Sequence, residues 1–167
     1  MLEAAKPVIY HLITKWYFTA PVESVWEELA DAKSWPSWWP CWRKVKFHGS
    51  ESKMQLGTIA YNEVKGQLPY SLRFNNEVTL VQEPYLMENK SSGDLVGKGK
   101  TVLEQQDDGT VVTIYWDVAT SNPVFNLLGK LPFVRAMIEK NHDYVMDDGF
   151  RGLKQRLEQR HFSSEQS

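Results

Sequence analysis

Residues 20–42 read APVESVWEELADAKSWPSWWPCW. Val22, Val25, Trp26 and Leu29 recur at steps of three and four, the buried stripe of a short amphipathic helix. Thr19 is placed to cap that helix. Pro21 and Glu23 fall in its first turn, where a fixed φ and a negative charge both help. Pro36 and Pro40 break the next stretch of chain into brief turns or a second short helix. Across that break fall Trp35, Trp38, Trp39 and Trp42, four of the seven tryptophans in the chain. Indole rings are costly to leave in water, so the cluster requires a core, a cavity wall or a partner to cover it. It reads either as a corner packed into a core or as part of a hydrophobic pocket.

Upstream, residues 8–18 (VIYHLITKWYF) are rich in β-branched and aromatic types and read as a first strand, with Leu12, Thr14, Trp16 and Phe18 on one face. Downstream, strands follow in quick succession. Residues 42–49 put Val45 and Phe47 opposite Lys44 and Lys46. The segment GTIAYNEV lies between Gly57 and Gly66. Residues 70–80 alternate, with Tyr70, Leu72, Phe74 and Val78 inward and Ser71, Arg73, Asn75 and Glu77 outward. A strand over 85–91 precedes LVGKGKTVLEQ, whose Gly97 and Gly99 face inward and permit a bend or a close approach. Asp108-Gly109 marks a hairpin, and the last strand, 111–119, carries Val112, Ile114, Trp116 and Val118 on one side.

After residue 120 the period changes from two to about 3.6. Ser121 or Asn122 before Pro123 starts a helix, Gly129 interrupts it, and Pro132 starts another that runs to about residue 160. Val134, Ile138, Asn141, Val145, Gly149, Gly152 and Leu153 form one stripe of that last helix, bordered by Met137 and His142. Gly149 and Gly152 lower helix propensity, which points to a close backbone or ligand approach. The expected organisation is one domain over residues 1–160 and a frayed polar tail, 161–167. The order is one strand, two short helices, six meandering strands and a long helix. It predicts a sheet whose apolar face only that helix is large enough to cover.

Composition narrows the function classes. Nineteen basic and twenty-one acidic residues give a net charge of -2 with no long run of either sign, so a nucleic-acid partner is not expected. The single cysteine, Cys41, excludes an internal disulfide framework and a cysteine-based zinc cluster, and reads as a small buried hydrophobe. No apolar run approaches the ~20 residues of a membrane span, and the N-terminus lacks the pattern of a signal peptide, so the expected location is cytoplasmic. His11, His48, His142 and His161 show no metal-ligand spacing; no GxSxG elbow is present; and no helix follows glycines 93, 97 and 99 to cradle a phosphate. Neither a metal nor a cofactor is implied, and monomer and dimer are equally compatible with the sequence.

The run APVESVWEELADAKSWPSWWP resembles the N-terminal signature of the START, polyketide-cyclase and pollen-allergen helix-grip superfamily (SRPBCC). LPYSLRF, GDLVGKG, TVVTIYW and NHDYVMDDGFRGLKQRL resemble its later segments, so the likeness covers about residues 8–158. It implies an α+β helix-grip fold: a seven-stranded curved antiparallel sheet wrapped around a long C-terminal α-helix, with two short helices after strand 1. It also implies a hydrophobic cavity between sheet and helix. The superfamily shares no single catalytic motif, so it lends no catalytic residue.

In such a fold the inward faces place Trp16, Trp39, Phe47, Tyr70, Phe74, Trp116, Met137, Asn141 and Val145 around the cavity, the expected ligand-contacting set. Asn141 is the best polar member, because an amide bonds a ligand carbonyl or hydroxyl without burying a charge; a bond to neighbouring backbone is the competing role. The favoured function is a carrier or sensor of a small hydrophobic ligand such as a lipid, polyketide or aromatic molecule. An alternative is a cyclase/dehydratase-type enzyme, without a metal, in which Asn141, His142, Tyr70 or Glu88 moves protons. A second alternative is a partner- or membrane-docking protein that uses an exposed Trp35–Trp42 patch.

Overall fold

The computed structural model describes residues 6–167. β1 (Tyr10–Phe18) leads into α1 (Val22–Ala30), a 3-10 turn (Ala32–Ser34) and α2 (Trp35–Trp38). Six strands follow: β2 (Trp42–Phe47), β3 (Ile59–Val64), β4 (Leu72–Gln82), β5 (Leu86–Gly93), β6 (Leu95–Gln106) and β7 (Gly109–Thr120). α3 (Pro123–Leu128) and α4 (Pro132–Glu165) complete the described chain. The strands form one curved antiparallel sheet in the order β1-β7-β6-β5-β4-β3-β2, with α4 as the long C-terminal helix of a helix-grip fold. β1 and β2 are consecutive strands in sequence yet lie at opposite edges, so α1 and α2 must carry the chain from one edge to the other.

Four local expectations shift. The first helix starts at Val22 with Pro21 in the cap position and no side-chain cap, so Thr19 does not cap it. Proline has no side-chain acceptor to offer the first-turn N–H groups, of which Val22's donates to Gln105 Oε1 at 2.9 Å, and its fixed φ is compatible with the extended entry at -60°. The hairpin turn is Asp107-Asp108, with Asp107 at a φ of 44°, and Gly109 already pairs with Gln106. The first strand begins at Tyr10, which pairs with Val118. The tail expected to fray is helical through Glu165, where His161 and Glu165 face each other one turn apart at 3.2 Å.

α4 lies against the sheet through Val134, Asn141, His142, Val145, Met146, Gly149, Leu153 and Leu157. At 1.5 Å per residue its 34 residues span about 50 Å. The two glycines mark where the aromatic corner docks. A Cβ at Gly152 would collide with the carbonyl oxygen of Trp38, and one at Gly149 would collide with the Trp39 indole. The Trp39 Nε1–H donates to the Val145 carbonyl at 2.8 Å, and the Cys41 N–H donates to Asp148 Oδ2 at 2.8 Å. The four tryptophans therefore pack onto α4 rather than project into solvent; Trp38, Trp39 and Trp42 are buried and Trp35 is half-buried. A docking patch formed by Trp35–Trp42 is not available on this surface. Each ring removes roughly 150–250 Å² from water, a gross gain of about 4–6 kcal/mol at ~25 cal/mol per Å².

A second clamp ties α1 to α4. Glu28 is fully buried; its carboxylate accepts from Arg156 Nε at 2.5 Å and lies 2.6 Å from Arg160 Nη1. Glu28 lies off the α1 apolar stripe in sequence, and only the arrival of two arginines from α4 accounts for its burial.

Candidate ligand-binding cavity

Between the concave face of the sheet, α1, α2 and α4 lies a cavity of about 190 Å³. One wall is a continuous run of rings. Trp35 meets Trp42 edge-on at 5.0 Å, Trp39 meets Trp42 at 4.6 Å, Trp42 meets Phe74 at 6.2 Å, Phe74 meets Trp116 at 5.8 Å, and Trp116 meets His142 at 6.2 Å. Strand alternation places Leu95, Thr101 and Leu103 of β6 and Ile114 and Trp116 of β7 on the lining. Tyr70 and Phe125, both partly exposed and with rings 5.5 Å apart, form the rim beside α3.

Six of the nine residues expected around a cavity lie on this lining: Trp39, Tyr70, Phe74, Trp116, Asn141 and Val145. Trp16, Phe47 and Met137 do not. Trp16 is buried beyond the cavity's closed end, among Phe18, Trp39 and Phe150. Phe47 is buried near the end of the edge strand β2, with the Lys33 ammonium 4.7 Å from its ring centre. Met137 is half-exposed on α4, outside the stripe that faces the sheet. Glu88, weighed as a proton donor, is on the outer face of β5, 4.0 Å from Lys100, and cannot act in the cavity.

The polar side chains buried on the lining are few and neutral; Lys100, also on the lining, holds its exposed ammonium 4.0 Å from Glu88. Asn141 Oδ1 accepts from the backbone N–H groups of Gln67 (2.7 Å) and Leu68 (3.2 Å), tying the β3–β4 loop to α4. Gly66 makes that approach feasible, since a Cβ there would collide with Asn141 Oδ1. The Asn141 carbonyl thus performs the structural role that competed with ligand binding. Asn76 accepts from the Ser91 hydroxyl at 2.6 Å. Three indole N–H groups of the corner find acceptors: Trp38 on Ser34, Trp39 on Val145 and Trp42 on Asn62. The fourth, Trp35 Nε1, is buried without a partner, as are Tyr10 Oη and Asn89 Oδ1, and all three residues line the cavity. A buried polar atom left unpaired costs about 1–3 kcal/mol, so a bound molecule that hydrogen-bonds one of these atoms would gain from it.

Among the described residues His142 is the one imidazole on the lining, and it is buried. Burial pushes its pKa below the ordinary 6.5, and this outweighs the opposing pull of the Asp143 carboxylate 3.5 Å away, which is itself exposed to solvent. The ring is therefore neutral at pH 7. Burial also raises the hydroxyl pKa values of Tyr10 and Tyr70. Among the described residues no aspartate or glutamate lines the cavity.

Sequence reasoning missed Tyr10, Trp35, Trp42, Asn76 and Asn89 as lining residues. The signal for three of them was present. Tyr10 shares the parity of Leu12 and Trp16, Asn76 that of Phe74, and Asn89 that of the buried Met87. Amides at inward strand positions simply do not stand out in a hydrophobicity pattern.

Sheet, helix and enclosed space define a helix-grip protein with an internal, mostly apolar cavity. Residues 14–158 match the family described as polyketide cyclase / dehydrase and lipid transport, and the chain belongs to that family. Among solved structures it is similar to a START superfamily protein from Mycobacterium smegmatis, at 15% identity and a TM-score of 0.70, covering 89% of this chain and 97% of that one. It is also similar to the Zhui aromatase/cyclase from Streptomyces sp. R1128, at 17% identity and a TM-score of 0.70, covering 92% and 96%. A third such structure is a protein from Thermus thermophilus, at 16% identity and a TM-score of 0.70, covering 86% and 97%. At these identities the likeness speaks for the fold. Comparison with curated proteins finds no match. Among the described residues no helix is long and apolar enough to cross a membrane.

Proposed function

We propose that the protein binds a small, mostly apolar ring compound of one or two rings bearing a hydroxyl or carbonyl group. The observation that carries this reading is the cavity itself: about 190 Å³, walled by Trp35, Trp39, Trp42, Phe74 and Trp116, with isolated neutral polar atoms at Trp35, Tyr10 and Asn89. An engineered apolar cavity of about 150 Å³ holds benzene, whereas pockets for drug-sized ligands run to about 300–1,000 Å³. That comparison favours one or two rings over a long acyl chain or a fused polycycle. The family's description, with cyclase and lipid-transport members, is in keeping with such a ligand.

Titration with 2-naphthol, followed by tryptophan fluorescence, tests it. The expected result is saturable quenching that Thr101→Phe weakens at least tenfold, because the new ring projects from the inward face of β6 into the space. Non-saturable quenching, or equal affinity in the variant, overturns the reading.

A second reading, catalysis of the cyclase/dehydratase kind, is favoured by one observation: His142, neutral at pH 7 on an apolar wall, can accept a proton from a bound molecule. It predicts pH-dependent dehydration of a bound β-hydroxyketone, lost in His142→Gln while naphthol binding persists. Binding without turnover in the unmodified protein leaves the carrier reading standing alone.

A further inference from the structure

The cavity's rim carries an apolar surface that the ligand reading does not use. α3 buries none of its residues. Val124, Leu127 and Leu128 recur at the three- and four-residue steps that place them on one side of it, and they are 60%, 61% and 39% exposed. The connection to α4 and its first turns add Leu131, Phe133 and Met137, of which Phe133 is 72% exposed. These six side chains adjoin Phe125 and Ile138, which turn the other way and line the cavity. The collar is therefore continuous with the rim.

Charge separates the occupants such a face could take. Residues 122–140 carry Lys130, Arg135 and Lys140 against Glu139 alone, a local excess of two positive charges on a chain whose net charge is -2. Arg135 pairs with Glu139 at 3.1 Å and lies over the Tyr10 ring, so its charge is held at the collar. Two copies meeting through this face would bring like charges together. Leucine and valine are under-represented among protein–protein hot spots, which favour Trp, Tyr and Arg. Leu and Phe beside Lys and Arg is the composition of a segment lying in an anionic membrane interface.

We propose that α3 and the first turn of α4 dock on the surface of an anionic bilayer, with Leu127 and Phe133 inserted and Lys130 facing the headgroups. In that pose the Tyr70–Phe125 rim meets the lipid, and an apolar molecule passes between bilayer and cavity without crossing water.

Flotation of the full chain with vesicles of phosphatidylcholine, alone or mixed with phosphatidylglycerol, tests the proposal. The expected result is binding to the mixed vesicles at low salt, weakened by added salt. Leu127→Asp combined with Phe133→Asp should reduce partitioning at least tenfold, and Lys130→Glu by more than about fivefold, each charge near the surface being worth about that factor. All three positions are exposed, and an unchanged melting temperature and circular dichroism would show the variants folded. Three outcomes overturn the proposal: no binding to the mixed vesicles, equal binding by the folded double variant, or a dimer in solution that the double variant dissociates. Naphthol titration without vesicles reads the cavity separately, so failure of docking and failure of ligand binding are distinguishable.

Discussion

Gly152 is the position where the smallest change should be felt most. Its missing side chain is the space occupied by the Trp38 carbonyl, and backbone cannot swing aside as a flexible side chain can. Gly152→Ala is expected to cost about 3 kcal/mol, the upper range for overpacking, read as a lower midpoint in urea denaturation with circular dichroism. His142 makes a prediction with a sign. The unfolded chain takes up a proton near 6.5, while the buried ring holds off to lower pH, so in that window the unfolded state binds more protons. Stability should therefore fall as pH drops below about 6.5, and His142→Gln should remove that part of the slope in urea melts at several pH values. Cys41, whose thiol burial pushes up to about 12, should resist iodoacetamide at neutral pH until denaturant is added.

At the scale of elements, the Glu28 clamp joins two helices far apart in sequence. Arg156→Ala leaves a buried carboxylate with one partner. Complete burial of such a pair would make the loss about 3–5 kcal/mol, but Arg156 is partly solvated, so about 2 kcal/mol is expected. Arg160→Ala, at the more exposed arginine, should cost less in the same denaturation assay. Element type and order were legible because the strands alternate, the helices carry stripes, and Pro and Gly punctuate both. What alternation could not supply was depth. Parity places Trp16, Phe47 and Phe74 on inward faces alike, yet only Phe74 sits where packing stops and the cavity begins. Trp16 meets Phe150 and Trp39 instead, and that meeting depends on where α4 crosses the sheet. Likewise Asn141 was identifiable as an amide on the right stripe, but its backbone partners at Gln67 and Leu68 come from a loop more than seventy residues away.

For the whole molecule, the proposed ligand binding would be linked to stability. A ring compound that binds only the folded state, at a hundred times its dissociation constant, should stabilise the fold by about 2.7 kcal/mol, visible as a concentration-dependent rise in melting temperature. The edge-to-edge placement of β1 and β2 has a kinetic consequence. β4 through β7 are joined by short turns and can zip locally, but β1 completes the sheet only by pairing Tyr10 with Val118, across most of the chain. Closing so long a loop carries its entropy cost before any contact repays it, so this pairing is expected to be the slow event in folding. Tyr10, Leu12 and the α1–α2 corner reach the lining only when that pairing forms. Until then the chain is expected to hold an open, apolar half-sheet with no enclosed space, so that the cavity is the last feature to form.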